Sequence, residues 1–124
     1  MKNQIVEEIE EAFSDCWMKS AEDAMRRRNL DFRASGPLKP SEWLPAMRKI
    51  IPHGYNEFCV ESIANTIAPF ADRIEIVMAR EGSPAMYFQA DKKTLKLLEN
   101  VLRKSKGSPD ELTLQNDELR AWWD

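Results

Sequence analysis

The stretch IEIVMAREGSPAMYFQAD, residues 74–91, decides the fold. Large apolar side chains recur at every second position on both of its arms, and between the arms residues 80–84 contain a glycine and a proline, which are typical turn residues. The positions that would share one face are Ile74, Ile76, Met78, Met86 and Phe88. A period of two on both sides of a turn predicts an antiparallel β-hairpin over residues 74–90, with its apolar face against helices.

A helix is predicted directly after the hairpin, over residues 92–104. Asp91 is a good N-cap residue, and the leucines that follow it recur at three- and four-residue steps. Lysines close to the predicted end, with Gly107 just beyond it, are typical of a helix C-terminus.

The last part of the chain has two interpretations. Residues 111–115, ELTLQ, alternate as a strand does, whereas Ser108 to Glu111 has the form of a capping box that would begin a helix. Because a two-stranded hairpin is marginal by itself, we predict a third strand at 111–115 that pairs with the hairpin. Residues 116–124 are expected to form a C-terminal tail, either one helical turn or an ordered end.

Two shorter helices are predicted before the hairpin, at residues 41–51 and 57–68. Ser41 would cap the first helix, and Asn56 would cap the second, which Pro69 would close. A strand remains the alternative for the start of the second segment, because its first apolar residues also alternate.

The N-terminal segment is predicted to be one long helix, residues 3–29, with a second helix from Ser20 as the alternative. Its apolar residues recur at helical spacing, with acidic residues near the start and arginines near the end. Such a helix is about 40 Å long, which exceeds the roughly 35 Å diameter of a globule of this size. We therefore predict a homodimer formed through the N-terminal helix. Residues 30–40, with one glycine and two prolines, would be an internal linker.

Together these elements predict a single α+β domain, residues 1–124, in which the helices pack with a small antiparallel sheet. The chain is 43% apolar and carries a formal net charge of −3, which weighs against a general nucleic-acid or membrane-surface binder. No apolar run approaches the ~20 residues of a membrane span, and the acidic N-terminus lacks the apolar stretch of a signal peptide. We expect a cytoplasmic protein with no membrane partner.

The sequence motifs of common catalytic and metal sites are absent. Cys16 and Cys59 have neither metal-site spacing nor a disulfide framework, and their apolar neighbours predict buried, reduced thiols. The single histidine, His53, stands six residues from Cys59, a spacing that positions neither against the other. We therefore predict no enzyme, no metal and no cofactor, although residues distant in sequence can converge in a fold.

The elements predicted for residues 41–90, two helices followed by a hairpin, come in an order that resembles winged-helix domains. The resemblance is one of element order with no sequence motif, and it implies that the second helix would read DNA. That helix carries Glu57 and Glu61 and no basic residue, while Arg80 near the hairpin tip is followed by Glu81. Phosphate contacts dominate DNA affinity, so an acidic helix weighs against DNA binding. Nucleic-acid binding is therefore the alternative interpretation and not the first.

The adjacent residues Trp122 and Trp123 predict a partner-binding site. Neighbours on a strand or helix cannot both face one core, so at least one should be partly exposed, and tryptophan is frequent among interface hot spots. The alternative is that the pair fixes the C-terminus to its own domain. We interpret the chain as a small acidic protein-binding module, an inhibitor or immunity-type protein that acts on a basic partner. The residues predicted to contact the partner are Trp122, Trp123, Glu57, Glu61, Arg80 and Glu81.

Overall fold

A computed structural model describes residues 7, 9, 32–33, 37–51 and 53–124. These residues form helices on one side of an antiparallel sheet of five strands, so the α+β class is confirmed. Glu7 and Ile9 are helical, and Ile9 is fully buried with the core residues. The rest of the predicted helix 3–29, and the dimer expected from it, lie outside the described residues.

The sheet runs in the order β1-β2-β3-β5-β4, and every neighbouring pair is antiparallel. The five strands are β1 Phe32–Arg33, β2 Glu75–Glu81, β3 Ser83–Gln89, β4 Glu111–Gln115 and β5 Glu118–Trp122. The hairpin predicted at 74–90 is confirmed as β2 and β3, whose pairing continues to Glu81 opposite Ser83. Gly82 forms the tip with φ +76°, a left-handed conformation that glycine adopts without steric cost.

Three α-helices occur in the described part of the chain after β1: α1 Pro40–Ile50, α2 Val60–Ile67 and α3 Lys92–Lys104. Helix α3 begins and ends where the sequence predicted, and the Asp91 carboxylate accepts a hydrogen bond of 2.8 Å from the Thr94 backbone N–H. Helix α1 starts one residue before Ser41, because Lys39 is its N-cap residue and Glu42 accepts the Lys39 backbone N–H at 2.9 Å.

Helix α2 settles the ambiguous segment as helix, but it begins at Val60 and not at residue 57. Tyr55 and Phe58 exchange backbone hydrogen bonds of 2.9 and 2.8 Å across a tight turn. Asn56 lies inside this turn with φ +51°, so the prediction that Asn56 caps the helix is wrong. Glu57 is therefore an exposed turn residue, not a helical one.

The prediction that strand 111–115 pairs with the hairpin is wrong. Strand β4 covers the predicted 111–115, but its neighbour is β5, which inserts between β4 and β3. Within the predicted tail 116–124, residues Glu118–Trp122 form strand β5 and not a helical turn. Leu119, Ala121 and Trp123 alternate inward and are fully buried. Asn116, with φ +50°, lies in the connecting turn.

The segment predicted as an internal linker, 30–40, also contributes to the sheet. Phe32 and Arg33 form β1 opposite Arg80 and Ala79, and Leu38 bridges to Ile76 through two backbone hydrogen bonds of 2.7 Å. Glycine and proline content does not predict these pairings, because the partner residues follow both α1 and α2 in the sequence.

The hydrophobic core lies between the sheet and the helices. Trp43 of α1 donates its indole N–H to the Met78 sulfur at 3.1 Å, and Phe58 meets the Trp123 ring edge-on with centroids 5.2 Å apart. Burying large aromatic side chains contributes strongly to the stability of a core. On the opposite face of the sheet Val77, Ala79 and Ala85 are also buried, and polar side chains occupy the part of that face formed by β3, β5 and β4. Among the described residues, none of the helices has the length and apolarity to cross a bilayer.

Candidate interaction surface

The sheet face that points away from the helices carries a cluster of charged and aromatic side chains. Because side chains alternate along strands, the register of β3, β5 and β4 aligns Tyr87, Arg120 and Thr113 in one row across this face. The next row is Gln89, Glu118 and Gln115. We call this surface the charged sheet face, and its defining residues are Arg33, Glu81, Tyr87, Glu111, Glu118 and Arg120.

Glu81 is the centre of one half of the charged sheet face. Its carboxylate accepts hydrogen bonds from the Tyr87 hydroxyl and from Arg120 Nε, the latter at 2.8 Å, and its backbone carbonyl accepts the Trp122 indole N–H at 2.8 Å. Arg120 also donates to Glu111 at 2.8 Å. Three strands are thus joined through one glutamate, which fixes the positions of Tyr87, Arg120 and Trp122.

Glu118 organises the other half. It forms an ion pair with Arg33 and accepts a hydrogen bond of 3.1 Å from Gln89. The Arg33 guanidinium lies 4.0 Å from the centroid of the Tyr87 ring, within the range of a cation–π contact. The ring of Tyr87 is therefore already covered by an arginine of the same chain.

Tyr87 and Arg120 both keep their protons at neutral pH and so act as hydrogen-bond donors. Partial burial and the hydrogen bond to Glu81 raise the pKa of Tyr87 above its ordinary value, so the phenol keeps its proton at neutral pH. Partial burial would lower the pKa of Arg120, but its hydrogen bonds to Glu111 and Glu81 raise it by more. Both side chains remain donors, and a phenol with a raised pKa is not suited to act as a general base at neutral pH.

A recess of about 380 Å³ opens on the charged sheet face. Its lining residues are Arg33, Tyr87, Thr113, Gln115, Glu118 and Arg120. Over the whole charged sheet face three carboxylates stand against two guanidinium groups, so the surface keeps an excess of negative charge. Small-molecule pockets are mostly apolar, whereas the lining of this recess is polar, as in the rim of a protein interface.

The structure brings together two of the residues predicted as a partner site. Trp122 and Glu81 both lie on the sheet face away from the helices and are joined by the indole hydrogen bond. Trp123 points to the opposite side, is fully buried, and donates its indole N–H to the Gly107 carbonyl at 3.0 Å. The two tryptophans therefore separate, one partly exposed and one in the core.

The other three predicted residues lie away from the charged sheet face. Arg80 is only 3% exposed and occupies a strand position whose side chain points to the helical side of the sheet. Glu61 lies on α2 and forms a two-pronged ion pair with Arg48, at 2.7 and 2.8 Å. Glu57 is exposed in the turn before α2. None of the three contributes to the cluster around Glu81.

Sequence reasoning missed Arg33, Tyr87, Glu111, Glu118 and Arg120. Four of these residues become neighbours only through the pairing of β5, which was not predicted. A usable signal was present, because residues 118–123, ELRAWW, alternate polar and apolar side chains over their first four positions.

Metal ligation is not supported by the described residues. Among them, no group of three or more histidine, cysteine, aspartate or glutamate side chains is placed to hold an ion.

Cys59 contradicts the prediction of buried thiols. It is a free, exposed thiol at the N-cap position of α2, because the helix starts one residue later and leaves Cys59 outside its apolar stripe. Hydrogen bonds from the Ser62 backbone N–H and then from its hydroxyl lower the pKa of the thiol. Cys16 lies outside the described residues.

We expect Cys59, in a Cys16→Ser variant, to be alkylated by iodoacetamide with a pH midpoint below that of the same chain in urea. The folded pKa is lowered, so thiolate persists as the pH falls below the unfolded value and is lost only through the folded pKa. Ser62→Ala should raise the midpoint, since one of the hydrogen bonds is removed. A folded midpoint at or above the value in urea would contradict the geometry.

The chain matches no protein-family model, no curated protein and no solved structure.

Proposed function

We propose that this chain is a small, non-enzymatic protein-binding module that takes a basic polypeptide on the charged sheet face, as an inhibitor or immunity-type protein would. The observation that carries the proposal is the Glu81-centred cluster, in which carboxylates outnumber guanidinium groups beside a partly exposed tryptophan. Charge complementarity of this kind speeds the encounter with a basic partner and rejects acidic ones.

Two carboxylates of the charged sheet face are accessible enough to exchange their own arginine for an arginine of another protein. Glu111 is 56% exposed and Glu118 is 28% exposed, and each is held by an arginine at the surface. Exposed ion pairs contribute only about 0–1 kcal/mol, so replacing an intramolecular guanidinium by one from a partner costs little. The less exposed ion pair between Arg120 and Glu81 would remain intact and keep the neighbouring side chains in position.

Tyr87 and Trp122 supply the apolar part of the proposed interface. Both rings are partly buried and held by hydrogen bonds to Glu81, so little side-chain entropy would be lost when a partner covers them. Tyrosine and tryptophan are the residues most enriched among interface hot spots. The Arg33 guanidinium lies over Tyr87, so an arginine from a partner would contact this ring by displacing Arg33.

A cytoplasmic setting is part of the proposal. An exposed free thiol such as Cys59 is compatible with a compartment that keeps cysteines reduced.

The proposal is tested by titrating an arginine-rich peptide into the protein and measuring the dissociation constant. We expect the double variant Glu111→Gln, Glu118→Gln to bind about five- to tenfold more weakly, the loss of roughly 1 kcal/mol from two partly exposed charges. The matched control is Glu57→Gln, Glu61→Gln, which removes the same charge from the helical side of the sheet and should leave affinity unchanged.

Comparing the two double variants shows whether the peptide binds the charged sheet face. Equal weakening by both would show that only net charge matters, and an unmodified affinity in the sheet-face variant would show that the peptide binds elsewhere. Either result would contradict the charged sheet face as the binding site.

A second candidate, nucleic-acid binding, is favoured by one separate observation. Helix α3 exposes Lys92, Lys93, Lys96 and Lys104, and in the described part of the chain none of these lysines forms an ion pair. The helix that the winged-helix resemblance would use as reader, α2, exposes Glu61 and has no basic residue. Retardation of a DNA duplex at low salt, lost in Lys93→Gln, Lys96→Gln, would favour this second function.

A further inference from the structure

Strand β4 ends the sheet, and its outward backbone groups can be identified from the hydrogen bonds of β5. Trp123 donates its N–H to Pro84 of β3 at 3.0 Å, whereas the Trp122 carbonyl accepts from Asp110 at 2.8 Å on the β4 side. The alternation along β5 therefore turns the backbone groups of residues 118, 120 and 122 towards β4. Their partners are Gln115, Thr113 and Glu111.

It follows that Leu112 and Leu114 direct their N–H and C=O groups away from β5, to the outer edge of the sheet. Among the described residues no other element pairs with this edge. Edge strands are commonly protected by lysine, by proline or by a covering segment. Residues 111–115 contain neither lysine nor proline, so this edge is able to accept a further strand.

We propose that two copies of this chain pair antiparallel through β4, with the two-fold axis at Thr113. In this register Leu112 of each copy exchanges both backbone hydrogen bonds with Leu114 of the second copy. All five residues of each strand are then paired, whereas a two-fold axis centred on Leu112 or Leu114 would leave part of each strand without a strand partner. The two sheets would become one continuous sheet.

The edge is complementary to itself in this register. Thr113 faces Thr113 of the second copy, a favourable cross-strand pair, and Glu111 faces Gln115 of the second copy, so no like charges stand opposite each other. On the helical side the half-buried Leu112 and Leu114 pair with the same residues of the second copy and lose further apolar surface. A second copy therefore fits this edge without rearrangement of β4.

Pairing would also enlarge the charged sheet face. Thr113 and Gln115 line the recess, so the recesses of the two copies would meet across the new strand pair. The dimer inferred from the β4 edge does not depend on what the charged sheet face binds.

Disulfide cross-linking at Thr113 tests the register in a Cys16→Ser, Cys59→Ser background. At the axis, Thr113→Cys would lie directly opposite itself with Cα atoms about 4.5 Å apart, close enough for a disulfide. We expect mild oxidation to convert most of this variant to a covalent dimer. Gln115→Cys is the matched control, because its copies would be separated by roughly 13 Å along the strand and should stay monomeric. A mixture of Glu111→Cys and Gln115→Cys should cross-link to each other.

A second measurement tests the backbone pairing itself. We expect sedimentation equilibrium to approach twice the 14.4 kDa of one chain as concentration rises. Leu114→Pro removes an N–H that points outward, which the monomer does not use, and should abolish the dimer. Leu114→Ala loses the same leucine but keeps the N–H, and should still dimerise.

The proposal is overturned if the wild type stays at the mass of one chain throughout, or if Gln115→Cys cross-links as readily as Thr113→Cys. A dimer that persists in Leu114→Pro would also overturn it, and would point to the N-terminal helix that the sequence predicted as the interface.

Discussion

Replacing Trp123 with alanine should lower the free energy of unfolding by about 3–5 kcal/mol, the usual cost of removing a large aromatic side chain from a core. Trp123 is fully buried, packs edge-on against Phe58, and satisfies the Gly107 carbonyl with its indole N–H. The loss therefore combines a cavity, a lost aromatic contact and the lost hydrogen bond to the partly buried Gly107 carbonyl. Urea unfolding followed by circular dichroism measures it.

The neighbouring substitution Trp122→Ala is the control. Trp122 is partly exposed on the charged sheet face and gives up one hydrogen bond, to the Glu81 carbonyl, so we expect a loss of about 1–2 kcal/mol. Equal losses for the two variants would mean that the tryptophans do not face opposite sides of the sheet.

Gly54→Ala should be the second most damaging substitution, with a loss of more than about 2 kcal/mol. Gly54 has φ +68°, and a Cβ atom there would lie 2.3 Å from the backbone oxygen of Phe58. That oxygen accepts the hydrogen bond that closes the Tyr55–Phe58 turn, so it has little room to move. The substitution would displace Phe58 from the ring of Trp123.

Gly107→Ala provides a graded comparison in the same unfolding experiment. Its φ is +72°, but the added Cβ would lie 3.0 Å from the Glu57 carbonyl oxygen, a much milder approach. We expect a smaller loss than for Gly54→Ala. If the two variants were equally stable, the contact between the added Cβ at Gly54 and the Phe58 oxygen would not be the cause of the lost stability.

Much of the fold follows from local patterns in the sequence. Alternation on both arms of a Gly-Ser-Pro turn was enough to predict the hairpin, and the Asp91 cap with leucines at helical spacing was enough to predict α3. Each of these signals acts within one element, where neighbouring residues determine the conformation. The start of α2 was misplaced because Asn56 serves equally well as an N-cap or as a left-handed turn residue, and only the pairing of Tyr55 with Phe58 decides between them.

The candidate site was less predictable for a physical reason. Arg33 and Glu118 are 85 residues apart in the chain, and Arg120 and Glu81 are 39 apart, so strand order and register bring them together and no local rule does. Once β5 is recognised as a strand, its period of two places Glu118, Arg120 and Trp122 on one face. The other residues of the charged sheet face require the pairing of β1, β2, β3 and β4.

The charged sheet face carries an excess of negative charge at a different place from the one predicted from the sequence. The sequence pointed to Glu57 and Glu61 near α2, where Glu61 is paired with Arg48 at the surface. The carboxylates that stand beside partly exposed aromatic rings are those of Glu81, Glu111 and Glu118, on the opposite side of the sheet. The hypothesis of a basic protein partner is kept, and its contact surface moves.

The central claim, that the charged sheet face takes a basic polypeptide, is tested most directly by the indole N–H signals in ¹⁵N–¹H NMR spectra. Adding an arginine-rich peptide should shift the Trp122 indole and the amides of Thr113 and Gln115, and leave the buried Trp43 and Trp123 indoles in place. A matched glutamate-rich peptide should shift none of them. Shifts confined to Lys93 and Lys96 on α3, or an unmoved Trp122 indole at saturating arginine-rich peptide, would contradict the claim.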